Sequence, residues 1–241
     1  PEGGAHQSTI TASVGAELPN LTASEPAYAT EVDWLLCDAL DQLSQPGGTS
    51  SYLRLSTRPI DQAPFAAVLE RLGETELRRQ VLAGGYRLLE PPHLNDDPND
   101  GRPGVTIVTT GVMAPEALAA AAALDDEGVA ATVVHLTSPD RTYRDWRARF
   151  TTAAAAARVP TGTVELDRLI PPTERGRPIV SVHDAASHSL AWLGSAVGTR
   201  QYTLGVDRFG ESGTIADLYE LTGIDTNAIV NTALLAIATQ H

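Results

Sequence analysis

The first group in this chain that could do chemistry is a histidine in a run of small residues. The sequence opens PEGGAHQ, with two glycines and an alanine leading into His6 and Gln7. An imidazole titrates near neutral pH, so on a rigidly supported loop it can move a proton or hold a substrate oxygen. A solvated loop histidine with no function fits the same composition, and both readings stand. Arg54 and Arg58, in LRLSTRP, follow a strand-like run. At the C-terminal edge of a parallel sheet they would suit an anionic ligand, because open α/β folds place ligands there. Salt bridges to some of the 30 acidic residues explain them equally well. His183 and His188 flank DAAS, and their i, i+5 spacing puts them on different helical faces, so a zinc pair is not expected. Asp184 reads as a helix cap. FGESG (209–213) lacks the lysine and spacing of a phosphate-binding loop. It reads as a helix-capping turn in which Glu211 and Ser212 meet early N–H groups. His93, His135 and His241 carry no further signal. No GxSxG, HExxH or CxxC motif is present.

The composition narrows the classes. The chain has 241 residues, 42% of them hydrophobic and 20% charged, enough to bury a core without staples. Its formal net charge is −13, and all 17 basic residues are arginines. Schiff-base chemistry on a lysine is therefore excluded for this chain. With no basic stripe to neutralise phosphates, a nucleic-acid role is not expected either. The single cysteine, Cys37, rules out an internal disulfide and reads as a buried structural thiol on an apolar helix. No run approaches the roughly 18 consecutive apolar residues of a membrane span, and no signal segment starts the chain. A cytoplasmic protein, not associated with membrane, is the expectation.

The elements that must position these groups follow from periodicity. Residues 1–25 read as loop. Residues 26–43 read as a helix capped by Ser24, with an apolar stripe through Val32, Leu35, Leu36, Ala39, Leu40 and Leu43. A strand is expected over 51–56 and a short helix over 64–73. The segment 78–90 ends in a strand after a glycine turn. Residues 91–104, PPHLNDDPNDGRPG, cannot pack and read as an exposed linker. Beyond it, β-branched runs at 104–111, 129–136, 177–184 and 201–207 alternate with helices over 113–128, 140–158, 186–197, 213–222 and 225–239. That alternation predicts an α/β fold of mostly parallel sheet with helices on both faces.

Several stretches, taken in order, resemble the thiamine-diphosphate enzymes of the transketolase superfamily, most closely the homodimeric E1 component of pyruvate dehydrogenase. PEGGAHQ resembles that family's glycine-rich active-site loop. PNLTASEPAYATEV resembles the proline-led helix that follows it, with PAYA-x-EV the more specific part. VTIVTTGVMAPEAL resembles the opening of the superfamily's C-terminal domain, and LGVDRFGESGTIADLYELTGID its last strand, turn and helices.

The resemblance implies a partial pyrimidine-binding domain over 1–90, a linker over 91–103 and a transketolase-type C-terminal domain over 104–241. It implies His6 as the catalytic histidine and Gln7 as a substrate-binding neighbour. Gln7 follows as in transketolases, whereas E1 enzymes often carry an acidic residue there. Arg58 falls one position from the arginine with which transketolases grip a sugar phosphate. Thiamine diphosphate and Mg²⁺ would be the cofactors, held by a GDG-type motif and an activating glutamate that this chain lacks. The chain is thus expected to be a fragment or one of two chains, inactive alone and binding neither cofactor tightly. It would need the N-terminal portion or a companion chain and would form a homodimer. The implied activity is decarboxylation of a 2-oxo acid such as pyruvate, with the acyl unit passed to a lipoyl-bearing acyltransferase. A two-carbon transferase on sugar phosphates is the alternative, and a non-catalytic dimerisation or regulatory module is the third.

Overall fold

The computed structural model describes residues 8, 10–91, 101–160 and 164–240. After a short helix α1 (Val14–Glu17), strand β1 (Leu21–Ser24) leads into α2 (Ala29–Gln42), and β2 (Ser50–Leu53) returns beside β1. The two strands pair in parallel, Leu21 opposite Ser50 and Ser24 opposite Leu53. Helices α3 (Ala63–Leu72) and α4 (Glu74–Ala83) follow, then β3 (Tyr86–Leu89), β4 (Gly104–Thr110), α5 (Ala114–Asp126), β5 (Ala130–Leu136) and α6 (Pro139–Ala155). The chain ends with α7 (Glu165–Leu169), β6 (Ile179–Val182), α8 (Leu193–Val197), β7 (Gln201–Leu204), α9 (Ile215–Thr222) and α10 (Thr226–Ala238).

The second sheet has the order β3-β5-β4-β6-β7. All its pairings are parallel except β3 with β5. Alternation along the strands sends their side chains to two separate cores. Val105, Ile107, Val180 and Val182 pack with α5, α10 and the aromatic residues Tyr28, Phe65 and Tyr86. Val108, Val134, Leu136 and Ile179 face the opposite way, onto Leu166, Leu169, Leu190 and Leu193. Both faces are covered, so the central strands read as unbroken β-branched runs. Each fully buried valine or leucine contributes roughly 1.5–3 kcal/mol. The alanine run of α5 has a packing reason beyond helix propensity. Ala117, Ala120 and Ala121 are buried, and their small side chains let α5 lie close against Ala233 and Ala236 of α10.

Several expectations change. Strand β1 forms from LTAS, four residues inside the stretch read as loop, because parallel pairing with β2 outweighs weak local propensity. Ser24 is therefore the last residue of a strand and not a helix cap. Helix α2 starts at Ala29, where the Glu31 carboxylate accepts the N–H groups of Ala27 at 2.7 Å and Tyr28 at 2.9 Å. Helix α4 fills residues left unassigned before the glycine turn. Strand β3, within the segment 1–90, hydrogen-bonds into the second sheet as its antiparallel edge, so the chain enters that sheet before the linker. Cys37 is exposed, not buried. Helix α2 turns Trp34 and Leu35 inward and leaves Leu36, Leu40 and Leu43 outward. The stretch Ile215–Ala238 is long and apolar enough to cross a membrane by length and composition. In the fold it is broken by left-handed Gly223 and by Asp225, which caps α10, and Ile229, Ala233 and Ala236 are buried in the core.

Candidate active site at the facing strand ends

Parallel strands release their chains at one edge, and here the two sheets point those edges at each other. Glu25 is the first residue after β1, Arg54 the first after β2, Gly111 the first after β4, and His183 and Asp184 the first after β6. The Glu25 carboxylate lies 2.8 Å from His183 Nε2 and accepts from Arg54 Nη1 at 2.8 Å. Arg54 also donates to Asp184, from Nη1 to Oδ1 at 2.7 Å and from Nη2 to the carbonyl at 3.1 Å. His183 Nδ1 meets Ser189 Oγ at 2.7 Å. The backbone of Glu25 is fixed too. Its N–H donates to the Thr137 carbonyl at 2.8 Å, and its carbonyl accepts from Gly111 N at 3.0 Å. Gly111 sits at φ +53°, in the left-handed region where glycine is favoured.

Electrostatics follow from this packing. Burial pushes the Glu25 carboxyl upward, but His183 and Arg54 outweigh it and hold the pKa at about 2. Burial works against the Arg54 charge, yet Asp184 and Glu25 raise its pKa above the ordinary value. Glu25, His183 and Asp184 offer ligand atoms within 4.8 Å of one another, as a metal site would. The Arg54 guanidinium already contacts both carboxylates, so the chain supplies the cation itself. One imidazole and two neutralised carboxylates do not fit Mg²⁺, which demands octahedral oxygen ligands. No step through the implied diphosphate and its metal can be built from these residues.

Two adjoining cavities share Arg54 and Asp184. The larger, of 440 Å³, is lined among others by Ser8, Thr11, Arg208, Glu211, Leu218 and Tyr219. The smaller, of 280 Å³, opens beside Leu55, Ser56, Thr57 and Gly111. His6 and Gln7 lie outside the described residues. Arg58 lines neither cavity. It pairs with Glu116 at 2.7 Å, and its guanidinium lies 5.5 Å from the ring centroid of Tyr219, in a neighbouring groove of 520 Å³ that shares Tyr219 with the larger cavity. The FGESG turn does border the larger cavity through Gly210 and Glu211, but Thr214 caps α9, by accepting from Asp217 N at 3.2 Å. Neither Glu211 nor Ser212 does so.

A second buried pair joins helix α2 to the second sheet. Glu31, on α2, lies 3.4 Å from His135 Nε2, on β5, and both side chains are fully buried. Burial pushes Glu31 upward, and His135 with the Tyr28 N–H more than reverses it. Sequence reasoning gives Glu25, His183 and Asp184 no joint role. One signal points to His183, a polar residue directly after Val182, the last apolar residue of its strand, whereas Glu25 follows Ser24 of a strand with no pattern of its own.

Comparison with known proteins adds a family. The model of the transketolase-like TK C-terminal domain matches residues 84–225. A chromosomal transketolase of Cupriavidus necator is 27% identical over 197 residues, covering 79% of this chain and 24% of its own. A chloroplastic transketolase of Craterostigma plantagineum is 25% identical over 219 residues, covering 90% and 34%. The chain therefore spans between a quarter and a third of the length of these relatives. Among solved structures, a transketolase mutant from Pichia stipitis superposes with TM-score 0.64 at 20% identity, over 98% of this chain and 28% of its own. A split-gene transketolase described as an inactive β4 tetramer superposes with TM-score 0.61 at 18% identity, over 98% and 63%.

Proposed function

Since the chain belongs to the family of transketolase-like C-terminal domains, whose model covers residues 84–225, we propose that it is the C-terminal portion of a transketolase-type enzyme. The activity would be thiamine-diphosphate-dependent transfer of two-carbon units between sugar phosphates. One observation carries this reading: the curated transketolases align with 79% to 90% of the chain, well beyond the family match. That favours two-carbon transfer over decarboxylation of a 2-oxo acid, and the lipoyl-bearing partner belongs to the disfavoured reading.

Thiamine diphosphate would supply the carbanion-stabilising chemistry from residues outside this chain. In the intact enzyme His6 would hold the substrate oxygen and pass its proton, with Gln7 beside it. Ser8, two residues on, lines the larger cavity. Arg54 and Glu25 would keep the two strand edges facing one another, and Arg58 would contact the substrate phosphate after leaving Glu116. The 241 residues alone would be inactive and would assemble with an N-terminal portion, or a companion chain, in a homodimer. The test is an assay of the enzyme completed with that portion. Two-carbon transfer from a ketose phosphate, with no turnover of pyruvate, is expected. Pyruvate turnover without transfer would overturn the reading.

A further inference from the structure

The first sheet has two strands, β1 and β2, paired in parallel. Parallel sheets are normally covered on both faces and have more strands, because two strands alone bury too little to be stable. Ser50 N donates to the Asn20 carbonyl at 2.8 Å, and Arg54 N to the Ser24 carbonyl at 2.9 Å. Alternate residues of a parallel strand bond to opposite sides, so Ser50, Tyr52 and Arg54 serve β1. The N–H and C=O groups of Ser51 and Leu53 point to the other edge, where no described residue pairs with them. We propose that this edge of β2 receives a further parallel strand from the portion of the enzyme that carries the cofactor. The inference rests on reading the chain as part of a transketolase-type enzyme, and it names the surface by which the chain joins the rest.

The two edges of this sheet are finished differently. The outer edge of β1 is closed by side chains. Ala23 N donates to Asp140 Oδ2 at 3.1 Å, Ser138 Oγ to the Ala23 carbonyl, and Arg144 Nη1 to the Leu21 carbonyl at 2.7 Å. No described residue does the same for the backbone of Ser51 or Leu53. Proteins that leave an edge free protect it with charges, proline or a bulge. SSYL has no charge and no proline, and its register with β1 is unbroken. Open peptide groups in such a strand are a template for pairing.

A second observation comes from the helix that crosses between the two strands. Helix α2 turns Trp34 and Leu35 into the core, and Leu36, Leu40 and Leu43 are 47%, 57% and 75% exposed on its other side. Their i, i+4, i+7 spacing is that of a packing stripe. A strand beside β2, with a helix of its own beside α2, covers the open edge and the stripe in one layer. The chain covers 24% of one curated transketolase and 34% of another, so enzymes of that kind have ample further chain to supply both. A second copy of this chain fits less well. Two β2 edges related by a two-fold axis run antiparallel, which carries their strand ends to opposite sides. A parallel strand instead ends beside Leu55, Ser56 and Thr57, which line the 280 Å³ cavity, and so delivers its own loop to the candidate site. Buried on both faces, that strand should read as a continuous β-branched run.

Hydrogen exchange and assembly with the cofactor-bearing portion test this. The amides of Ser51 and Leu53 should exchange freely in the chain alone and slow by at least about a hundredfold in the assembled enzyme. Ser51→Pro removes one outward N–H and leaves the bonds of Ser50, Tyr52 and Arg54 to β1. The variant chain should keep its Tm within a few degrees, while assembly weakens at least about tenfold. If it fails to fold, Leu40→Lys combined with Leu43→Lys, at exposed positions, should weaken assembly severalfold. Equal assembly of the folded variants, or unchanged exchange at Ser51 and Leu53, would overturn the proposal even where the wild type transfers two-carbon units. A dimer of the chain alone that Ser51→Pro abolishes would overturn it too, by making a second copy the occupant. Pyruvate turnover by an enzyme whose assembly Ser51→Pro disrupts would sink the transketolase reading and leave the pairing standing. Failure of the wild type to assemble would remove both.

Discussion

Glu25 Oε2 lies 2.8 Å from His183 Nε2 although 158 positions separate them in the chain. The contact joins the end of β1 in one sheet to the end of β6 in the other, and Arg54 closes it from the side.

Stability should fall on acidification in a specific window. The Glu25 pKa is depressed from 4.5 to about 2 in the fold. The folded chain therefore binds fewer protons than the unfolded chain at intermediate pH. The contribution of Glu25 is fully present above pH 4.5 and is lost as pH falls toward 2. Its size is on the order of 3 kcal/mol. Glu25→Gln should lower Tm at pH 7 and flatten the dependence of Tm on pH between 4.5 and about 2. A parallel slope in wild type and variant would count against the assignment.

Arg54→Ala should destabilise by about 1–3 kcal/mol, because it leaves Asp184 without its cation and Glu25 with His183 as its one remaining side-chain partner. Arg54→Ala combined with Glu25→Gln should cost less than the sum of the two changes, since they break the same contact. Denaturant unfolding through a double-mutant cycle measures that coupling. Strict additivity would show that the two side chains do not interact energetically.

Arg58 is held by Glu116 at 2.7 Å and lies against Tyr219. If it contacts substrate phosphate in the completed enzyme, it must exchange one anion for another. Glu116→Gln should then lower KM for a ketose phosphate severalfold, and Arg58→Ala should raise it at least tenfold. Steady-state kinetics with a phosphorylated and an unphosphorylated ketose checks both. Equal effects of Arg58→Ala on the two substrates would remove the phosphate contact.

The sheet core offers a simpler check. Ile107 is fully buried between α5 and α10. Ile107→Ala should cost about 2–5 kcal/mol, through lost burial and the cavity left behind. Loss of less than about 1 kcal/mol in urea unfolding would mean that the helices collapse onto the gap.

The second sheet was legible because each central strand is buried on both faces. GVTIVTT and AATVVHL are buried almost throughout, and runs rich in β-branched residues are hard to miss. Strand β1 was not legible, since LTAS has no pattern of its own and forms only against β2. Cys37 misled for a related reason. Helical spacing shows that a stripe exists, but only the packed neighbours show which part of it is covered, and Leu36, Leu40 and Leu43 are not. The site at the strand ends was half visible. Arg54 could be placed at a sheet edge by sequence, but its partners Glu25 and Asp184 lie 29 and 130 positions away. Long-range pairing of that kind leaves no periodic trace.

The two buried Glu–His pairs have a mechanical consequence when taken together. Glu25 and Glu31 both lie in the β1–α2 segment, while His135 lies in β5 and His183 directly follows β6. One such contact would act as a pivot, free to swivel about itself. Two contacts at separate points act as dowels, which fix angle as well as position. The facing strand ends are held by one hydrogen-bonded pair and one buried close approach, and a swing between the sheets must separate both at once.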